Sequence, residues 1–367
     1  MATTNRTNRT NRTNRTNRTN RTNRTDFGDD ELSSFGQATS EGLSDALQSA
    51  MLAFNGPEAA VPAERLLRPP EADLYRRLNG RHRDHLIVSE LMQKISVVSV
   101  GVDLVRNAQL KDDAKVVMSL VLDTQPATLD FWRRQIAQLR AQKWNRDDRL
   151  SEIIIAQSDL LSFLGLPVPI AADTHPWLMV LLNAVQEVAF RVATEMKDIF
   201  RMPRPNVLAL DLAPPIRTPA HSAFPSGHAT EAFAAAAVLG ALYPSSRLLL
   251  RQMASRIAVN RGYAGVHYPV DHHAGAILGD LLGQHIVLRM FGVELRKTPN
   301  SAVSFAAQDP VTPAPFGVSV EDFALVSHLL KTAGTRPTKA QAAALGTVGI
   351  LPWLADKVLS DVGNDAP

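Results

Sequence analysis

The chain contains no cysteine, which excludes disulfide bonds and thiolate-ligated metal centres and leaves the redox compartment open. A reducing cytoplasm is compatible with that absence, and a cytoplasmic location is the expectation. Uninterrupted apolar runs are also short of the roughly 18 residues that a membrane span needs. The best stretches are broken by Gln186 and Glu187, or by His272, His273 and Asp280. This predicts a soluble protein with no transmembrane segment. The arginines near the N-terminus are followed by "DFGDDELSSFGQ" rather than by an apolar stretch, so a secretory signal is not indicated. A strong excess of one charge is missing too. The formal charge is +3, but seven arginines lie within the first 25 residues, and subtracting them leaves −4 for the remainder. That balance removes the composition argument for a nucleic-acid partner.

What is present is apolar and helical. With 367 residues and an apolar share of 45%, the chain is long enough to bury a sizeable core. Residues 5–25 are seven copies of Asn-Arg-Thr with nothing apolar to bury, which reads as a low-complexity tail over 1–30. Each copy formally matches an N-glycosylation acceptor, and a basic arm is the other use of such a segment. From about Ser44 to Trp144 apolar positions recur three and four apart, in "LIVSELMQKISVVSVGVDLV" and "LDFWRRQIAQL", without sustained period-2 alternation. This gives an N-terminal helical region over 31–170. A long helix opens at Thr174-His175-Pro176, where a capping residue and an early proline mark its start, and further helices are expected near 228–242, 246–260 and 271–291. Together these form a core over 171–295. A C-terminal helical extension, 296–367, begins with the linker-like "QDPVTPAPFG" and holds two or three short helices from Ser319. The predicted class is all-α, a helical bundle.

Three stretches carry chemistry. Lys197 lies four, eight and twelve residues past Ala193, Ala189 and Val185, on the apolar face of its helix, where an ammonium is costly unless an anion meets it. A lysine near a helix end also complements the dipole and can reach out to water, which is the structural alternative. Seven residues on, Arg204 stands between Pro203 and Pro205 and offers a rigid fork of donors suited to oxyanions, while Arg201 reads as a surface charge. In "AFPSGHAT", Ser226 can donate its hydroxyl, Gly227 allows close backbone approach and His228 can act as acid or base, all at the start of a helix where anions settle. In "ASRIAVNRGYAGVHYPVDHHAG", Arg261 is in register with Ile257 and Met253. Asp271, four residues past His267, can accept from one ring nitrogen and leave the other as a nucleophile or ligand. Asp271 also reads as a helix cap, and the two roles are compatible. His272 and His273 read as packing or solvent-facing residues.

These stretches, in this order, resemble the signature of the type 2 phosphatidic acid phosphatase and vanadium haloperoxidase superfamily: Lys-x6-Arg-Pro, Pro-Ser-Gly-His and Ser-Arg-x5-His-x3-Asp. Here they stand as Lys197 to Pro205, Pro225 to His228 and Arg261 to Asp271, with Asn260 in place of the usual serine, across about 175–292. The resemblance implies a helical bundle of the phosphatase/haloperoxidase type. It implies that His267 attacks phosphorus, Asp271 orients it, His228 protonates the leaving alcohol, and Lys197, Arg204, Ser226, Gly227 and Arg261 hold the oxygens. In the haloperoxidase form of the site, vanadate is the cofactor, His267 is its ligand, and halide and peroxide replace the phosphate ester as partners. The phosphatase form requires no cofactor. His221 occupies a place at the pocket rim where bromide-using haloperoxidases tend to carry histidine, whereas "GVHYPVD" looks more like the phosphatase version of the third motif. The expectation is a soluble, acid-phosphatase-like phosphohydrolase, with the haloperoxidase as alternative. A catalytically silent scaffold would lack a ligand residue, and all are retained. A homo-oligomer is compatible with the composition.

Overall fold

A computed structural model describes residues 74–101, 104–294, 302–305, 336–344 and 349–363. The Asn-Arg-Thr repeats and "QDPVTPAPFG" lie outside the described residues. Helices dominate, as the sequence predicts: α1 (Gly80–Met92), α2 (Leu129–Lys143), α3 (Leu150–Ile155), α4 (Pro176–Phe200), α5 (Gly227–Leu242), α6 (Arg247–Tyr263), α7 (Pro269–Phe291) and α8 (Ile350–Gly363).

The centre is α5, whose sequence "GHATEAFAAAAVLGAL" is apolar on every side except at its first turns. Such a helix has no face for water, and every one of its residues is buried, with α4, α6 and α7 packed around it. The closest approach is to α7, where Gly275, Gly279 and Gly283 recur at four-residue spacing on one face. A Cβ on these glycines would lie 2.5, 2.2 and 2.6 Å from the carbonyl oxygens of Ser226, Thr230 and Ala234. The two backbones therefore touch without intervening side chains, and the starts of α5 and α7 are held side by side.

Helix α4 begins at Pro176, whose missing N–H costs nothing in a first turn, and it runs for 25 residues. Leu178, Leu181, Leu182, Val185, Val188, Ala189, Val192 and Met196 form its buried stripe. Its N-cap is His175 rather than Thr174, and no side chain from its own start caps it. The C-terminal helix does so instead: Asp361 Oδ2 on α8 accepts the Trp177 and Leu178 N–H groups at 2.7 and 3.1 Å. By length and composition, Pro176–Leu208 holds an 18-residue window, mean hydropathy 1.2, that reaches what a membrane crossing requires, so the breaks at Gln186 and Glu187 do not suffice to disqualify it. More than half of that window, 56%, is buried inside the protein, and core helices pass the same test.

The helical expectation fails locally over 95–123. There the chain forms β1 (Ile95–Ser99), β2 (Val105–Asp112) and β3 (Lys115–Asp123), an antiparallel meander to which β4 (Ala302–Phe305) adds in parallel beside β3. The strand signal is hidden because β3, "KVVMSLVLD", is apolar or half-buried on both faces. A doubly covered strand reads as a continuous run instead of an alternation. Asp113, in the left-handed region at φ 59°, makes the tight turn between β2 and β3. Arg106 on β2 donates to the Phe200 carbonyl and so ties the sheet to the end of α4.

Gly279→Ala places a Cβ against the Thr230 backbone, which cannot rotate away, and is expected to cost about 1–3 kcal/mol or more. Gly363→Ala, with nothing within 4 Å, is the control and should be near neutral. Urea midpoints of the two variants test this, and equal midpoints would contradict the close α5–α7 contact.

Candidate active site

The apolar register of α4 carries Lys197 into the interior, where it is only 3% exposed. Its Nζ donates to the carbonyls of Ser222 and Ala223 at 2.8 and 3.3 Å, using two of its three N–H bonds. Burial, reinforced by neighbouring Arg204, pushes the ammonium well below its usual range, against the pull of Asp271 and Glu231. Helix α4 stops at Arg201, which is left-handed at φ 45° and paired at the surface with Asp198, as a surface charge should be. The following turn delivers Arg204 into the interior. Its Nε donates to the His221 carbonyl at 3.1 Å and its Nη1 to the Val266 carbonyl at 2.7 Å. The same Nη1 lies 2.9 Å from His267 Nε2, and Nη2 lies 3.1 Å from His221 Nδ1. Burial lowers this guanidinium to about 10, with Asp271 opposing.

Ser226 is the N-cap of α5. Its Oγ accepts the Ala229 N–H at 3.4 Å and its own N–H donates to the Asp271 carbonyl at 3.0 Å, which joins the starts of α5 and α7. Gly227 opens the helix behind it. Directly after it, His228 is buried with Nε2 3.1 Å from the carbonyl of Ala156. A carbonyl only accepts, so this nitrogen carries the hydrogen. Burial, and then Arg261, hold the ring well below the ordinary histidine range, so it is neutral at pH 7.

Arg261 projects from the last turn of α6 and is 1% exposed. Its Nε and Nη1 are buried and make no hydrogen bond to protein, so charged donors stand ready for an acceptor that the protein does not supply. Burial, with Arg204 nearby, lowers it to about 9, and Glu231 pulls the other way. Past α6 the chain turns back at Gly265, at φ 72°, where a side chain would be strained and would press on Arg146 and Leu212. That turn sets His267 against Arg204. A guanidinium only donates, so His267 Nε2 is the acceptor and the ring hydrogen sits on Nδ1, which faces Asp271 Oδ2 at 2.9 Å. Burial and Arg204 keep this imidazole neutral. Asp271 is the third residue of α7, not its cap; the N-cap is Tyr268, whose N–H donates to Asp271 Oδ2 at 2.9 Å. Burial raises the Asp271 carboxyl to about 7, against the Tyr268 N–H and Lys197.

The structure thus brings Lys197, Arg204, Ser226, Gly227, His228, Arg261, His267 and Asp271 into the facing ends of α4, α5, α6 and α7, with His221 beside Arg204 and half-buried. Three neighbours received no role at the site from the sequence. Glu231 is fully buried on α5 and acts electrostatically on Lys197 and Arg261; its being the sole charge in an alanine-rich helix was the available signal. Asn260, beyond replacing a serine, bonds Arg149 and Glu152. His272 is a packing residue, as one of its two readings had it, but its ring centroid lies 6.2 Å from that of His267 and burial lowers it to about 3. His273, half-buried, bonds the Pro269 carbonyl. Among the described residues no group of three or more His, Cys, Asp or Glu is arranged to hold a metal ion.

These shifts carry a sign for stability. His228, His267 and His272 are all depressed from 6.5, so below that pH the unfolded chain binds protons that the folded protein refuses, and stability falls as the pH drops. Asp271, raised from 3.8 to about 7, works in the opposite direction over that interval, one group against three. The urea midpoint should therefore decrease from pH 6.5 to pH 5, and His272→Leu should flatten the decrease. A midpoint that holds or rises on acidification would contradict the neutral buried histidines.

With the geometry in view, comparisons place it among known proteins. Residues 176–293 match the family model of the PAP2 superfamily. The decaprenylphosphoryl-5-phosphoribose phosphatase of Mycobacterium tuberculosis (strain ATCC 25618 / H37Rv) is 33% identical over 126 residues, 34% of this chain and 66% of that protein. The protein of the same name from Mycolicibacterium smegmatis is 36% identical over 102 residues, 27% of this chain and 52% of that one. The chain therefore spans just under two thirds, or about half, of the length of these relatives. Among solved structures, a transmembrane PAP2-type phosphatidylglycerolphosphate phosphatase from Bacillus subtilis aligns at 22% identity and a TM-score of 0.35, over 44% of this chain and 84% of that one. The three motifs and the helices that carry them all fall within residues 176–293, the part of this chain that matches the PAP2 superfamily.

Proposed function

We propose that the protein is a phosphoric ester hydrolase that cleaves phosphate monoesters through a phosphohistidine on His267. The observation that carries this reading is the fixed tautomer of His267. With its hydrogen on Nδ1 toward Asp271 and its Nε2 lone pair directed at Arg204, the ring is an oriented neutral nucleophile inside a ring of cations. The phosphatase names of the relatives and the superfamily match support it.

An ester phosphate entering the cage would take the place of the His267–Arg204 contact, with its oxygens on Arg204, on the free donors of Arg261, on the remaining N–H of Lys197, on the Ser226 hydroxyl and at the Gly227 backbone. These cations meet the charge that develops on phosphorus-bound oxygen, so the proposal needs no metal. Nε2 forms a bond to phosphorus as the ester P–O bond breaks, and His228 in its protonated form supplies the proton to the leaving alkoxide. Asp271 stabilises the positive charge on the substituted His267 ring. Water then attacks phosphorus, His228 takes one of its protons, the P–N bond breaks and inorganic phosphate leaves. Vanadate, were it bound, would be held by the same residues with His267 as its ligand, and would supply activation of peroxide toward halide. A water-soluble enzyme is part of the proposal, in keeping with the burial of α5 on every side, and a cytoplasmic location is proposed with it on the absence of cysteine.

On metal-stripped protein, hydrolysis of p-nitrophenyl phosphate should persist, and His267→Ala should lower it by about 10³-fold or more while leaving the melting curve intact. Arg261→Met should cost about 3 kcal/mol of transition-state stabilisation. Orthovanadate should inhibit without conferring peroxide-dependent bromination. Turnover by His267→Ala, or bromination switched on by vanadate, would overturn the reading.

A further inference from the structure

Helix α3 is six residues long, too short to hold itself in water, yet it ends at the carbonyl that meets His228. What holds it is Glu152. The carboxylate of Glu152 receives Nε and Nη2 of Arg256 at 2.8 and 2.6 Å and Nδ2 of Asn260 at 2.7 Å. The Glu152 carbonyl accepts the Ala156 N–H at 2.9 Å, so the clamp on α6 and the carbonyl at His228 are one helical turn apart on a continuous hydrogen-bonded path. Asn260 anchors the other end of α3: its Oδ1 accepts from Arg149 Nη1 at 2.9 Å, and the Arg149 guanidinium lies 4.4 Å over the ring of Tyr263. A serine at 260 is too short to reach Glu152 and Arg149 together, so the departure from the superfamily signature coincides with an added tether between α3 and the helix that bears Arg261.

We propose that Glu152, acting with Asn260 and Arg256, is a positioning residue for His228: it fixes the Ala156 carbonyl, which holds the Nε2–H and sets the orientation of the imidazole that serves the leaving group. This rests on the phosphohydrolase reading. With Nε2–H held by Ala156, the proton that moves is the one on Nδ1, given to the leaving alkoxide and regained from water. The groups that bear on His228 are Arg261 from α6, Arg204 from the loop after α4 and Lys197 from α4, all of which disfavour a second ring proton. The Ala156 carbonyl from α3 favours it. Glu152 is thus the remote anchor of the contact that keeps His228 usable as an acid.

The leaving group tells this role apart from a merely structural one. An aryl phosphate departs without much protonation, whereas an alkyl phosphate requires an acid. Glu152→Ala should lower kcat/KM, which reads P–O cleavage and not the dephosphorylation that both substrates share, at least about tenfold more on glycerol phosphate than on p-nitrophenyl phosphate. His228→Ala should show the same selective loss, and His267→Ala should abolish both activities. Equal losses on the two substrates, or none, in Glu152→Ala would overturn the positioning role while leaving the phosphohydrolase reading in place. Activity retained by His267→Ala would overturn that reading itself. Should Glu152→Ala fail to fold, Asn260→Ser, which keeps a small polar group on α6, carries the same comparison with the same outcomes.

Discussion

Everything around His267 depends on an excess of buried positive charge. Lys197, Arg204 and Arg261 are each less than 5% exposed, and two buried carboxylates, Asp271 and Glu231, offset them only in part. Such a cluster is unfavourable in an apolar interior, and the lowered proton affinity of all three cations records that cost. Lys197 and Arg204 spend donors on backbone carbonyls, but two donors of Arg261 find none. A fold keeps this arrangement when its missing partner is an anion, and the α5 N-terminus presents its first N–H groups to the same place.

The rest of the architecture reads as the means of holding that charge in position. The glycine face of α7 allows its backbone to touch α5, which places Asp271 beside Ser226 and therefore His267 beside the start of α5. Arg146, with Nε on the Tyr263 carbonyl and both Nη atoms on Leu212 and Ala213, staples the loop after Arg204 to the end of α6. The sheet steadies the end of α4 through Arg106, and Asp361 caps its beginning from the far end of the chain. The helix that carries Lys197 is thus held at both ends by residues remote in sequence.

Much of this was legible in the sequence because it rests on local periodicity. Lys197 and Arg261 stand in register with apolar faces, and both are buried. The spacing of four between His267 and Asp271 gives the hydrogen bond it promises. Less legible were features set by distant contacts. The β-meander over 95–123 has apolar residues on both faces, so its period is masked. The capping of α4 by Asp361 joins positions more than 180 residues apart, and no local pattern announces it. The role of Asn260 needed the coordinates of Glu152 and Arg149, since a single substitution within a motif gives no hint of its partners.

The most direct test of the central claim is the stability of the protein against urea as inorganic phosphate is added. If the buried cations lack only an oxyanion, phosphate at about 100 times its dissociation constant should stabilise the fold by about 2.7 kcal/mol, and Arg261→Met should lose most of that gain. A midpoint indifferent to phosphate, or an Arg261→Met variant stabilised as strongly as the parent, would show that the charge cluster is not an anion cage.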